Sequence, residues 1–111
     1  RTDDPLQVRF EKLLEQNFTR HWNVSEYARQ LSVSATHLSR ITRQATGLPA
    51  SRVIEDRVMG EARRNLVFTN LGISEIAYLL GYSDPAYFSR VFSKATGMSP
   101  KAFRSRAERP A

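Results

Sequence analysis

The chain contains two copies of one pattern, and this internal repeat restricts the available folds more than any figure of composition does. Residues 24–34 align with residues 73–83 at a constant shift, so that Ser25, Glu26, Ala28, Leu31 and Ser34 recur as Ser74, Glu75, Ala77, Leu80 and Ser83. A second segment repeats after one residue is inserted in the intervening turn. Leu38, Ser39, Arg40 and Ile41 stand against Phe88, Ser89, Arg90 and Val91, and Ala45, Thr46 and Gly47 against Ala95, Thr96 and Gly97. Each copy is expected to form two short helices joined by a turn, which gives the chain two helix-turn-helix units.

Caps and spacing extend this to a map of seven helices. Asp4-Pro5 reads as an N-cap and a first-turn proline, and Leu6, Phe10, Leu13 and Leu14 then recur on one face to about Phe18. Asn23 followed by Glu26 opens the second helix, with Val24, Tyr27, Ala28 and Leu31 facing inward. Ser34 caps the third, which ends at Gly47. A long fourth helix covers about 50–69, burying Val53, Ile54, Val58, Ala62 and Leu66, with Gly60 as a weak point inside it. Residues 73–80 form the fifth, Asp84-Pro85 opens a sixth that closes at Gly97, and Ser99-Pro100 caps a short seventh holding Phe103 and Arg104. Strand periodicity is absent, so the expected class is all-α. The expected division is a first helix-turn-helix subdomain over 1–49, a linker helix over 50–70 and a second subdomain over 71–111.

Residue size marks where helices cross. Ala28 and Ala77 hold equivalent places, and a longer side chain there would force the two helices of each unit apart. The turns differ, with Ser32 in the first copy and Gly81 in the second, glycine being the residue that takes left-handed geometry without steric penalty.

Charge is distributed unevenly. The formal net charge is +6, which favours a polyanionic partner. No acid lies between Glu26 and Glu55, while Arg29, His37, Arg40, Arg43 and Arg52 fall inside that gap. None lies between Asp84 and Glu108 either, where Arg90, Lys94, Lys101, Arg104 and Arg106 are found. Acids gather in the flanking helices, at Asp3, Asp4, Glu11, Glu15, Glu55, Asp56 and Glu61. Each repeat thus has a basic second helix, either a solvated face or one that meets phosphates.

The faces of that second helix follow from its periodicity. With Leu38, Ile41 and Ala45 inward, Thr36, Arg40 and Arg43 point the opposite way with Ser39 beside them. In the later copy Phe88, Val91, Phe92 and Ala95 are expected inward, leaving Ala86, Arg90 and Ser93 outward, flanked by Ser89 and Lys94. Arginine can hold guanine O6 and N7 through two parallel hydrogen bonds, which makes Arg40 and Arg90 the foremost candidates for base readout. A lone arginine would more simply be a solvated or ion-paired surface residue, but equivalent placement in both repeats favours readout.

Other classes are weakly supported. With two histidines, no cysteine, no zinc-binding motif and no glycine-rich phosphate loop, neither an enzyme nor a metal or cofactor site is expected. No apolar run approaches a membrane span and no secretory leader is seen, so a cytoplasmic protein is expected. Arginine at position 1 suggests a fragment of a longer chain. The alternative function is a helical protein-interaction module without DNA binding.

The repeats, the connecting helix, the run 81–92 (GYSDPAYFSRVF) and the closing run 97–104 (GMSPKAFR) closely resemble the DNA-binding domain of the AraC/XylS family of bacterial transcription regulators. The resemblance covers nearly the whole chain. It implies a homeodomain-like tandem of two helix-turn-helix subdomains on a long linker, each placing its second helix in a DNA major groove. Carried over by position, Thr36, Ser39, Arg40 and Arg43 are base-contact candidates in the first unit, and Ala86, Ser89 and Arg90 in the second, Ala86 offering only a thymine-methyl contact. Ser34, His37, Arg52, Tyr87, Lys94 and Lys101 are phosphate candidates, helix packing being the other role open to His37 and Tyr87. Ser32 and Pro49-Ala50 depart from the family's pattern. A linker of about 18 residues is roughly 27 Å long, against about 34 Å for one DNA turn, so a rigid linker would require bent DNA. An activator fragment is expected, although the residues do not encode the sign of regulation; RNA polymerase is a further candidate partner, and any small-molecule effector is expected on a separate domain.

Overall fold

The computed structural model describes residues 4–108, so Asp3 of the acidic group lies outside the described residues. Seven α-helices appear among them and no strand: α1 Pro5–Asn17, α2 Val24–Gln30, α3 Ala35–Thr46, α4 Ala50–Phe68, α5 Ile73–Leu79, α6 Pro85–Thr96 and α7 Pro100–Glu108. A 3-10 turn, Phe18–Arg20, follows α1. The chain divides between Arg57 and Val58, inside α4, so each unit takes half of the helix that the sequence sets apart as a linker.

The caps operate as their residue types require. Asp4 accepts from the Leu6 N–H at 2.8 Å, Asn23 from Glu26 at 2.9 Å, Ser34 from His37 at 3.0 Å and Asp84 from Ala86 at 3.0 Å. The second helix of each unit ends identically. Gly47 and Gly97 take left-handed φ of 79° and 85°, and each donates to the carbonyl four residues back at 2.8 Å. The preceding threonines then clamp the exit: Thr46 Oγ1 donates to the Thr42 carbonyl, and Thr96 Oγ1 to the Phe92 carbonyl, both at 2.8 Å. Both inner turns also need positive φ, 59° at Ser32 and 92° at Gly81. Ser32 therefore holds a left-handed conformation that costs a non-glycine residue of order 1 kcal/mol, and the first turn is not relaxed by its serine.

In the first unit Leu6, Phe10 and Leu14 of α1 pack with Tyr27, Ala28, Leu31, Leu38, Ile41 and Ala50. Tyr27 is the hub, edge-on to Phe10 at 5.5 Å and to Trp22 at 5.2 Å. Its hydroxyl is buried without a hydrogen-bond partner among the described residues, and burial pushes its pKa up to about 12. The core also holds a polar pair that periodicity does not announce: Thr42 Oγ1 donates to Gln7 Oε1 at 2.9 Å, and Gln7 Nε2 donates to Glu11 at 2.9 Å. Arg57 grips Glu15 through two bonds of 2.7 and 2.8 Å and lies 4.0 Å over the Phe18 ring. The hydrogen bond from Arg57 holds the Glu15 carboxyl below its ordinary range.

The second unit buries Met59, Ala62 and Leu66 of α4 with Ile76, Ala77, Leu80, Tyr82, Phe88 and Phe92. Aromatic contacts run through it, Tyr82 to Phe88 at 5.2 Å, Phe88 to Phe92 at 6.0 Å and Phe92 to Phe103 at 5.5 Å. Helix α4 passes Gly60 unbroken, so the weak point in its propensity does not interrupt it. At its C-terminal end Arg104 Nε donates to the Leu66 carbonyl at 3.0 Å, with Asn65 and Thr69 carbonyls at 3.5 and 3.3 Å from Nη2. A cation at the carbonyls of a helix's last turn opposes the helix dipole, and here it gives the Leu66 carbonyl a charged donor.

Candidate nucleic-acid interface

The small residues that set the helix crossings are buried as expected, Ala28 at 2% exposure and Ala77 at 0%. Packing at this distance fixes α3 against α2, and α6 against α5, and leaves one long face of α3 and of α6 in solvent. On α3 that face carries Thr36, Arg40 and Arg43, with Ser39 and His37 half-buried at its edges. Gln44 is exposed beside Arg43, a neutral amide that neither charge nor a hydroxyl pattern marks out in the sequence. On α6 it carries Ala86, Tyr87, Arg90 and Lys94, with Ser89 and Ser93 half-buried. Ala95 is a correction. It shares the angular position of Phe88 and Phe92 but is exposed, because it sits in the last turn, where that side of the helix is uncovered.

Both arginines named for base readout are exposed, and each is held by the ring one turn before it. The Arg40 guanidinium donates to His37 Nδ1 at 2.5 Å. The Arg90 guanidinium carbon lies 5.7 Å from the centroid of the Tyr87 ring. Arg43, Lys94 and Lys101 are exposed, and their side chains make no ion pair or hydrogen bond among the described residues.

Other basic residues that the charge windows counted are engaged elsewhere. Arg29 pairs with Glu26 at 2.6 Å and depresses that carboxyl's pKa through its hydrogen bond. Arg52, a phosphate candidate, pairs with Asp56 at 3.0 Å on an exposed helix face, where such pairs contribute little and open readily. Arg104 is committed to the end of α4. The hydroxyl of Ser34 accepts the His37 N–H, leaving its own proton to donate. The N-terminus of α6 presents a carboxylate as well as N–H groups, since Asp84 already occupies the Ala86 donor.

What remains is two exposed helical faces, each with a held arginine and further free donors, a chemistry suited to the phosphates and base edges of a DNA groove. Among the described residues no group of acidic, histidine or cysteine side chains could hold a metal ion, and no helix is long and apolar enough to cross a membrane.

Comparison with known proteins agrees with this geometry. A family described as "Helix-turn-helix domain" matches residues 27–106. The arabinose operon regulatory protein of Escherichia coli K12 is 32% identical over 108 residues, 97% of this chain and 36% of that protein. The chain spans about a third of the length of the curated relatives it matches. Among solved structures, the C-terminal domain of AraT, a response regulator from Geobacillus stearothermophilus, superposes with a TM-score of 0.87 at 32% identity, covering 93% of this chain and 86% of that one. The DNA-binding domain of AdpA, a global transcriptional factor solved in complex with a target DNA, has the same fold, with a TM-score of 0.83 at 24% identity over 97% of this chain and 98% of that one.

Proposed function

Since the chain belongs to the AraC/XylS family of transcription regulators and is an AraC-type DNA-binding domain, we propose that it reads double-stranded DNA in the cytoplasm through α3 and α6, each laid in a major groove. Arg40 and Arg90 contact guanine edges, Thr36, Ser39 and Arg43 add base contacts beside Arg40, and Ser89 with the Ala86 methyl does so beside Arg90. Ser34, Arg52, Lys94 and Lys101 meet phosphates, Arg52 by exchanging Asp56 for the DNA backbone. Two such helices on one chain engage successive grooves, a task for which a single unit would need a dimer.

The observation that carries this reading is the equivalence of Arg40 and Arg90: one repeat position, one exposed face and the same capped, glycine-terminated helix beneath each. Selection of bound duplexes from a random library, followed by footprinting, tests it. Two protected patches about one helical turn apart, and affinity that falls steeply with salt, are expected. Absence of DNA affinity overturns it.

A second reading, a protein-interaction module, draws on exposed apolar side chains of the second unit, Phe68 at 79%, Tyr78 at 58% and Leu79 at 56%. Retained binding to RNA polymerase without affinity for any duplex would favour it. Catalysis forms no part of either reading.

A further inference from the structure

We propose that His37 and Tyr87 are positioning residues for the two recognition arginines and do not serve by touching phosphate. This rests on the reading of Arg40 and Arg90 as base contacts. Both rings stand at one repeat position, three residues before the arginine, where helical side chains share a face. Their chemistry differs, yet the contact is shared. In α3 the Arg40 guanidinium donates to His37 Nδ1. A guanidinium has no acceptor, so the bond requires a neutral imidazole with its proton on Nε2. In α6 the guanidinium lies over the face of Tyr87 at 5.7 Å.

Tyr87 is itself anchored, its ring resting 6.1 Å from that of Tyr82, which is only 7% exposed, and His37 is half-buried. In both units the guanidinium is thus held to a ring, and in α6 that ring meets the core. A long side chain that is already ordered loses less rotamer freedom on docking to a base, and its fork meets one base pair in one orientation. A phosphate contact needs only an exposed donor, and it would not account for an arginine bound to the ring in both copies.

The test reads two quantities on the selected duplex and its single base-pair variants: discrimination at each base pair, and affinity for random sequence. Tyr87→Phe keeps the ring face and removes the hydroxyl, and it is expected to leave both unchanged. Tyr87→Leu is expected to lower discrimination at one base pair roughly two- to fivefold, the scale of an exposed cation–π contact, with random-sequence affinity unchanged. In α3, His37→Gln supplies a carbonyl acceptor and retains discrimination, whereas His37→Lys offers a cation to phosphate, repels Arg40 and loses it. Melting curves establish that each variant is folded. The inference is overturned if Tyr87→Phe weakens every duplex alike and Tyr87→Leu does no more, or if His37→Lys keeps full discrimination. Arg40→Ala and Arg90→Ala are measured alongside. If they lose discrimination while the ring variants keep it, only the positioning role fails; if they too keep it, base reading fails and positioning falls with it.

Discussion

Behind α3, the first unit buries a hydrogen-bonded polar pair where the second, behind α6, buries an aromatic ring. Thr42 and Phe92 occupy the same repeat position; Thr42 bonds to Gln7 of α1, whereas Phe92 has Phe88 and Phe103 of α7 as ring neighbours. Around this difference the units agree closely, in Ala28 and Ala77 at the crossing, Leu31 and Leu80 after it, the positive-φ turns, and the threonine and glycine that end the second helix. The residues that set α3 and α6 are therefore held in common, and those that meet α1 in one unit and α7 in the other vary with whatever that helix supplies. The aim of the helix and the filling behind it are separate specifications.

This contrast predicts unequal responses. Phe92→Ala removes two ring contacts at a fully buried site and is expected to lower stability by about 3–5 kcal/mol. In denaturant its helical far-UV signal should fall before the fluorescence of Trp22, which is the only tryptophan and lies in the first unit. Coincident transitions would mean that the units do not unfold separately. Thr42→Val is expected to cost about 1–3 kcal/mol, chiefly by leaving the Gln7 amide buried without a donor. The double variant Gln7→Leu, Thr42→Val should recover most of that loss, and additive losses in the cycle would show that the pair is not coupled.

A smaller effect of opposite sign is expected at Tyr27. Tyr27→Phe removes a buried hydroxyl with no partner and should raise stability by about 1 kcal/mol in urea titrations. The raised pKa, about 12 against 10.0, means that the fold favours the neutral phenol. Stability is therefore full below pH 10 and declines as the pH climbs from 10 towards 12, a decline that Tyr27→Phe should abolish. The smallest effect is acidic. The carboxyls of Glu15 and Glu26, both in the first unit, are held below their ordinary range by hydrogen bonds from Arg57 and Arg29. Each contributes stability above the ordinary carboxyl value of 4.5 that is lost as the pH falls through its depressed value. Trp22 fluorescence should thus report weakening of the first unit as the pH falls below 4.5, more at low salt than at high, since both pairs are solvent-exposed.

Most of the architecture could be read from the chain because it is written in local terms. Asp4, Asn23, Ser34 and Asp84 each cap where their side-chain oxygens reach the next turn, and Gly47 and Gly97 stop helices where a left-handed residue is needed. The outward faces of α3 and α6 followed from periodicity, apart from Ala95, whose angle is right but whose turn nothing covers. What escaped depends on distance in sequence. Gln7 and Thr42 are 35 residues apart and Arg104 and Leu66 are 38 apart, and no local pattern tells that one pair makes a buried bond or that the other caps α4. Charge windows likewise count Arg29, Arg52 and Arg104 as available cations, since ion pairing is settled only by three-dimensional neighbours. Ser32 shows the converse: its residue type differs from that of Gly81 at the matching turn, yet both take positive φ.

The central claim, that the two units read DNA through equivalent held arginines, is tested most directly by position-resolved affinities of Arg40→Ala and Arg90→Ala on a selected duplex and its single base-pair variants. Each substitution should remove about 1–3 kcal/mol of discrimination at its own base pair, the two positions lying in different grooves, with random-sequence affinity little changed. Equal losses on selected and random duplexes, or both losses at one base pair, would contradict the claim.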